Sequence, residues 1–285
     1  MLAAALQTSE VRKERVILLL DDRNLVCVLK KAQVGNPLKV KFIASKRLNN
    51  WLSKVTGKLN LLSGRKLPLN QSITQKFKLV ENSEGFPTTL LDEGTKLPWV
   101  VSGFFQDIKL VERLGVRSQE FLSLILANEE NKFDLELKNK KLIGVHIRRG
   151  DYIDIPQYGV LSIEYYNNVI KTINLPQAKY IIASDDSKVF DLVTFGESAE
   201  FVSPDYNSPL QTLKKLAACN YLVMSNSSFS FWAGWIVAKN GGKVYAPYPW
   251  FQEAIVPSNH LYLEKFTRIQ SIFEKNLPNE SQQST

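Results

Sequence analysis

The chain has 285 residues and a formal net charge of +8, with 44% hydrophobic and 22% charged residues. This composition excludes a disordered or low-complexity chain and leaves room for one or two packed cores. The two cysteines are too few for a disulfide framework, and no apolar run reaches the roughly 20 residues that a membrane-spanning helix needs.

The first half of the chain holds a short apolar run and a long basic stretch. Residues 16–20 are apolar, and lysines and arginines recur through residues 30–66, interleaved with Phe42 and Trp51. Such a stretch predicts peripheral contact with membrane lipids. A solvated helix face beside an ordinary core is the alternative interpretation.

A polar, highly charged segment follows at residues 128–140, as expected of a linker between domains. We therefore predict an N-terminal domain over residues 1–135 and a C-terminal domain over residues 136–275. The polar residues 276–285 are predicted to form a flexible tail.

The second half opens with an apolar run that ends in two adjacent arginines. Residues 141–147 predict a central strand, and the alternation of a strand places His146 and Arg148 on one face and Ile147 and Arg149 on the other. Arginine offers a fixed fork of donors that suits phosphate oxygens, so the pair predicts a diphosphate site.

The same arginines have a structural interpretation. Asp151 and Asp154 follow them closely in the sequence, and two ion bridges to these carboxylates would also account for the pair. The motif alone leaves both interpretations open.

Two later segments repeat the succession of strand, polar turn and helix. Residues 178–183 predict a strand, Asp185 and Asp186 supply turn and capping groups, and residues 187–195 have helical spacing.

The next repeat begins with a predicted strand at residues 220–224. Ser225-Asn226-Ser227-Ser228 supplies caps, residues 229–238 predict an apolar helix, and residues 242–247 predict a fourth strand.

Strands that alternate with helices predict a parallel sheet, and such sheets bind ligands beyond the carboxyl ends of their strands. The start of the helix after Ser227 favours an anion, and an aspartate pair can accept hydrogen bonds from a guanine edge. Plain helix caps and a solvated acidic turn are the alternatives for the separate parts. The polar residues expected to share one purine nucleoside diphosphate site are His146, Arg148, Arg149, Asp185, Asp186, Asn226, Ser227 and Ser228.

At these residues the chain resembles the α-1,2-fucosyltransferases of glycosyltransferase family 11. His146-Ile147-Arg148-Arg149-Gly150-Asp151 is similar to the family's His-x-Arg-Arg-x-Asp signature. The resemblance runs from roughly residue 103 to residue 251. The segments that carry it are residues 102–106, 146–152, 161–166, 184–186, 219–236 and 246–251.

The resemblance implies a GT-B fold, with two Rossmann-type α/β domains and the donor bound mainly in the C-terminal one. It implies inverting transfer of L-fucose from GDP-fucose to the 2-hydroxyl of a terminal galactose, on a glycan or a lipid-linked oligosaccharide, with no metal or other cofactor. The family's bacterial members carry a glycine-rich loop near their first residues. No such loop occurs here, so we expect residues 1–135 to form a divergent, shortened domain on the acceptor side.

The resemblance also implies roles for the donor-binding residues. His146 and one of Asp185 or Asp186 would face guanine. Ser227 and Ser228 would bind phosphate oxygens.

A catalytic role is implied for Arg149, which would hold the β-phosphate and neutralise the leaving diphosphate, with Arg148 arranging the site. The candidates for the base that takes the proton of the acceptor hydroxyl come from the sequence itself. Asp151 and then Asp154 are the nearest carboxylates, although Asp151 could equally hold an arginine in place.

Other classes of protein are alternatives to a fucosyltransferase. A metal-dependent transferase could use Asp21-Asp22 or Asp185-Asp186, but adjacent carboxylates lack the Asp-x-Asp spacing. A nucleic-acid binder would suit the charge, yet no motif of that class is present. A non-catalytic or other-linkage GDP-fucose-binding protein also stays open. If the chain is complete we expect it in the cytoplasm or peripheral on the inner membrane, and if it is an excised domain, in the Golgi lumen.

Overall fold

The chain divides into two compact units, Met1–Ile125 and Leu126–Thr285. The predicted limits 1–135 and 136–275 stay predictions, and the predicted tail lies outside the described residues. The computed structural model describes residues 16–20, 29–30, 40–44, 112, 114–116, 119–122, 141–191, 199–202, 209–253 and 258–274.

The first unit contains a parallel pair of strands. Strand β1 (Val16–Leu20) pairs with β2 (Val40–Ala44) in register, from Val16 beside Val40 to Leu20 beside Ala44. The apolar run at residues 16–20 is therefore a strand. Residues 102–106, which the family resemblance included, lie outside the described part of the chain, as does most of the basic stretch.

The second unit is built on a six-stranded sheet in which every neighbouring pair is parallel. The strand order is β5-β4-β3-β6-β7-β8, so the chain runs outward in one direction from β3 and then outward in the other from β6. The α/β class and the parallel sheet of the C-terminal domain are confirmed. The strands are β3 (Leu142–Ile147), β4 (Lys179–Ser184), β5 (Ala199–Val202), β6 (Tyr221–Val223), β7 (Lys243–Tyr248) and β8 (Phe266–Gln270).

Among the described residues of this unit, three α-helices accompany the sheet: α1 (Ile163–Ile173), α2 (Pro209–Ala217) and α3 (Ser228–Lys239). Helix α1 begins after Ser162, whose hydroxyl accepts from a backbone N–H of the first turn, and ends at Asn174 in the left-handed conformation. Its buried face joins the core that forms against β3. The core residues of β3 and α1 are Ile143, Val145, Ile147, Tyr165, Tyr166 and Val169.

Helix α3 packs closely on the sheet at Gly234. It is apolar on nearly every side, as expected for a helix that is buried all round. A Cβ on Gly234 would stand 3.0 Å from Met224 Sδ and 3.1 Å from Phe266 Cζ. A side chain at this position would therefore require these neighbours to shift by a few tenths of an ångström.

The helix predicted at residues 187–195 is corrected. Ser187–Asp191 forms a short 3-10 helix, and residues 192–198 lie outside the described part. The hydrogen bond from Val189 N to Asp186 O spans three residues rather than four, as in a 3-10 turn.

Candidate functional site

The polar clusters predicted from the sequence meet at the carboxyl edge of the sheet. Arg148 and Arg149 follow β3, Asp185 and Asp186 follow β4, and the segment from Ser225 follows β6. Strands β3 and β6 are neighbours, and the connections leave them in opposite directions. A crevice at such a point is where parallel α/β sheets bind their ligands.

Arg148 bridges two carboxylates. Its Nη2 lies 2.6 Å from Asp151 Oδ1 and its Nη1 lies 2.9 Å from Asp185 Oδ2, with the guanidinium carbon 5.4 Å from the centre of the Tyr152 ring. Its Nε is buried and has no hydrogen-bond partner among the described residues. Carboxylates thus hold both terminal nitrogens of Arg148, and its Nε is the nitrogen without a partner among the described residues.

Arg149 is held more deeply, with 16% of its side chain exposed. Its Nε donates to Asp186 Oδ2 at 3.1 Å, its Nη1 donates to Glu274 Oε1, and its backbone N–H donates to Asp185 Oδ1 at 2.9 Å. Burial lowers the pKa of the guanidinium, but the bonds to Glu274 and Asp186 outweigh burial and raise it above its ordinary value. Arg149 therefore stays charged under all ordinary conditions.

The two arginines engage more carboxylates than the sequence suggested. The predicted Arg148–Asp151 bridge is present, and the other partners are Asp185, Asp186 and Glu274. Both aspartates expected to be available to a guanine edge therefore hold arginines here. Their contact with guanine stays a prediction, as does the role of Asp151 as a base.

The acidic turn after β4 is fixed from several directions. Asp186 accepts from the backbone N–H of Lys188 at 3.0 Å, and the Ser184 hydroxyl accepts from the backbone N–H of Asp186 at 3.1 Å. A Cβ on Gly150 would collide with the Asp185 carboxylate. Gly150, directly after the two arginines, therefore lies against the acidic turn, and a larger residue at position 150 would require the Asp185 side chain to move.

His146 faces the protein interior. It is 5% exposed, and its Nδ1 lies 2.9 Å from the Ser225 hydroxyl and 2.6 Å from the Ser230 hydroxyl, with the Phe229 ring centre 5.0 Å from its own. These contacts orient the ring from α3. The predicted contact of His146 with guanine stays a prediction.

The buried imidazole predicts a specific dependence of stability on pH. Burial and, second, the charge of Arg148 lower the pKa of His146 from 6.5 to about 3. The unfolded ring takes up a proton near pH 6.5 while the folded ring stays neutral, so the free energy of unfolding should fall as the pH drops from 6.5 towards 3. The slope from this group is at most about 1.4 kcal/mol per pH unit.

Urea unfolding between about pH 4 and 7 would measure this slope in the wild type and in His146→Gln. The variant should show a shallower dependence than the wild type. Equal slopes in the wild type and His146→Gln would contradict the assignment.

The turn after β6 combines a helix cap with a clamp. Ser227 caps α3 by accepting from the backbone N–H of Phe229 at 3.2 Å, and Ser228 is the first helical residue. The Asn226 side chain donates to the carbonyls of Tyr158 and Gly159 at 2.9 and 3.0 Å. Its Oδ1 is buried without a hydrogen-bond partner among the described residues.

Three participants were not predicted from the sequence. Glu274 lies 125 positions after Arg149, and no local pattern marks it. Ser230 contacts His146 from the first turn of α3, and nothing in the sequence around Ser230 distinguishes it from an ordinary small residue of a helix. The Tyr152 hydroxyl donates to the Asn226 carbonyl at 3.0 Å and was visible only as part of the arginine motif.

The described residues contain no group of three or more His, Cys, Asp or Glu side chains placed to hold a metal ion. No helix among them is both long and apolar enough to cross a membrane. A separate cavity opens at the opposite, amino edge of the sheet. It is lined by residues that begin β3, β6 and β7, including Lys141, Asn220 and Lys243.

Two known proteins that the chain resembles over part of its length are glycosyltransferases of Escherichia coli. The chain is 28% identical to the Alpha-1,2-colitosyltransferase of Escherichia coli over 45% of this chain and 47% of that protein. It is 27% identical to the O-antigen biosynthesis glycosyltransferase WbnK of Escherichia coli over 52% of this chain and 54% of that protein. The chain thus spans about half the length of the curated relatives it matches.

A solved structure also aligns with the chain. It is the glycosyl transferase family 9 protein from Veillonella parvula DSM 2008, with a TM-score of 0.47 and 14% identity over 96% of this chain and 85% of that chain.

The sequence also matches a family model described as glycosyl transferase family 11, over residues 84–270. The match contains the whole of residues 103–251, on which the resemblance was based, and it extends across the sheet to the end of β8. Since it spans well over half of the chain, the protein belongs to glycosyltransferase family 11.

Proposed function

We propose that this protein is an inverting glycosyltransferase that binds GDP-fucose beside Arg148 and Arg149. One observation carries the proposal. Two fixed guanidiniums and the start of α3 lie together at the carboxyl ends of β3 and β6, where the chain leaves these two strands in opposite directions. Arginine forks and a helix start both favour phosphate oxygens. A nucleoside diphosphate is the ligand that uses both.

The reaction follows from the charge that develops in it. The acceptor oxygen attacks C1 of fucose, the bond from C1 to the β-phosphate oxygen breaks, and GDP leaves with the bonding electrons. Negative charge grows on the diphosphate, so a guanidinium fixed in advance stabilises the transition state more than the ground state. In this proposal the arginines take the part that a divalent cation plays in other transferases.

The hydroxyl proton must go to a base. Asp151 is the most exposed of the four carboxylates on the arginines, at 60% against 23% for Asp185, 24% for Asp186 and 35% for Glu274. An acceptor sugar therefore reaches Asp151 most easily, which supports it as the base.

The donor sugar and the linkage rest on similarity. The motifs resemble those of α-1,2-fucosyltransferases, and the name of one partial relative also carries an α-1,2 linkage. We therefore propose the 2-hydroxyl of a terminal galactose as the acceptor group. Colitose is the second candidate for the donor sugar, because that relative is named a colitosyltransferase.

A competing function is binding of GDP-fucose without transfer. The observation in its favour is that four carboxylates already engage the two guanidiniums. Such an arrangement can hold a structure together without any chemistry.

Incubation of the protein with GDP-fucose and a panel of terminal galactosides tests the proposal. We expect GDP and a fucosylated product in equal amounts, with the linkage assigned by NMR and turnover that survives a chelator. Tight binding of GDP-fucose with neither transfer nor hydrolysis would favour the non-catalytic alternative. Loss of turnover on chelation, restored by a divalent cation, would contradict the role given to the arginines.

A further inference from the structure

The residues after β8 turn back over the carboxyl edge of the sheet. We call residues 271–274 the C-terminal strap. Its backbone is tied to the turn before α1: Ser162 N donates to Ile272 O at 2.8 Å, and Glu274 N donates to Val160 O at 2.8 Å. The match to the family model ends at residue 270, so the strap lies just outside it.

The strap carries a carboxylate to Arg149. Asp186, the other carboxylate on that guanidinium, also accepts from a backbone N–H and lies in a turn fixed by Ser184. The Glu274 carboxylate takes its hydrogen bond from Arg149 alone among the described residues, and 35% of the side chain is exposed. Glu274 also has one more rotatable bond than an aspartate. Of the two partners of Arg149, Glu274 is therefore the one that can leave without breaking a turn.

The charges around the arginines favour such a departure when an anion arrives. Two guanidiniums face four carboxylates, an excess of two negative charges, and His146 is neutral. A diphosphate that entered with every carboxylate in place would add to that excess. Its oxygens would also compete with Glu274 for the same N–H of Arg149, because both are anionic acceptors.

We propose that Glu274 occupies the place on Arg149 that a phosphate oxygen of the donor takes, and that diphosphate binding exchanges one for the other. This inference rests on the proposed function. The C-terminal strap then acts as an internal competitor. It keeps the guanidinium oriented in the empty site, and it weakens the binding of the donor and of the GDP product.

Glu274→Gln tests the exchange, with inorganic diphosphate, GDP and guanosine as probes in calorimetry at low salt. Removal of the competing charge should tighten binding of diphosphate and GDP about fivefold, the factor that an ion pair worth about 1 kcal/mol gives. Binding of guanosine, which has no phosphate, should not change. With the proposed donor, KM should fall while kcat stays within about twofold, since a competitor for ground-state binding is removed.

Glu264→Gln is the matched control. It makes the same change of charge at an exposed glutamate just before β8, at the opposite edge of the sheet, and should leave all three affinities unchanged. Circular dichroism would establish that both variants fold. If Glu274→Gln does not fold, Glu274→Asp replaces it, because the shorter side chain draws the carboxylate away from Nη1 and should tighten binding by a smaller factor.

The outcomes separate the inference from the proposed function. Wild-type binding of GDP with unchanged or weaker binding in the Glu274 variant would overturn the exchange and leave the donor site standing. Binding by the variant alone would support the exchange. Failure of both proteins to bind either phosphate ligand would overturn the donor site and the exchange together.

Discussion

Replacement of Arg149 by alanine should lower kcat for fucosyl transfer by about two to three orders of magnitude, the loss typical of one fixed donor to a developing oxyanion, or about 3 kcal/mol. Arg149 is deeply placed and its Nε is held by Asp186, so its guanidinium needs no rearrangement when charge appears on the leaving group. The variant also leaves Asp186 and Glu274 without their cation, which adds repulsion to an entering diphosphate. Initial rates of GDP release at saturating acceptor would measure the loss.

Two further variants make that result specific. Arg149→Lys keeps the charge but loses the fork, so its kcat should fall between those of the wild type and Arg149→Ala. Arg268→Ala removes an equal charge from β8, where Arg268 lies over the Tyr262 ring at 4.4 Å, and should leave kcat within about twofold of the wild type. Unchanged transfer by Arg149→Ala would refute the assignment of this residue to the leaving group.

Replacement of Trp250 by alanine should lower the free energy of unfolding by about 3–5 kcal/mol, the cost of emptying a large aromatic site in a packed core. Trp250 is 0% exposed and meets the Tyr262 ring edge to face, with 5.6 Å between centres. Tyr262 in turn donates to the carbonyl of Pro247 at 2.8 Å. The cavity would therefore loosen the segment that leaves the carboxyl end of β7, which urea unfolding would report.

Trp250→Phe is the conservative comparison. The indole N–H is buried without a hydrogen-bond partner among the described residues, so the phenyl ring loses volume but no hydrogen bond. We expect this variant to cost about 1–2 kcal/mol. A cost for Trp250→Ala no larger than that for Trp250→Phe would show that the site collapses freely and does not support the edge.

Strands β3, β4, β6 and β7 and helix α3 could be predicted because their signals are local, whereas β5 and β8 were not predicted. The apolar run at 141–147 became Leu142–Ile147, and the run at 242–247 became Lys243–Tyr248. Helix α3, predicted from residue 229 to residue 238, extends from Ser228 to Lys239, because a serine cap and an uninterrupted apolar run mark it. The convergence of polar turns at one edge then follows from parallel pairing alone.

The side-chain partners could not be predicted in the same way. Alternation correctly set His146 opposite Ile147, since β3 includes both: His146 meets the serines while Ile147 lies in the core. It does not apply to Arg148 and Arg149, because β3 ends at Ile147 and the backbone of Arg149 has left the strand conformation, with φ −133° and ψ −63°. Pairing with Glu274 depends on the path of the chain after β8, which no pattern near the arginines encodes.

The bonds of Asn226 have a consequence for chimeric enzymes. Asn226 is joined to Tyr158 and Gly159 through its side chain and to Tyr152 through its backbone carbonyl. These three hydrogen bonds tie residues 150–159 to the turn at residues 225–228. A graft of only one of these segments would lose up to three hydrogen bonds if it changed the donor side chains of Asn226 or Tyr152 or moved the backbone carbonyls that accept from them. A loop exchange that is designed to change the acceptor should therefore replace residues 150–159 and residues 225–228 together.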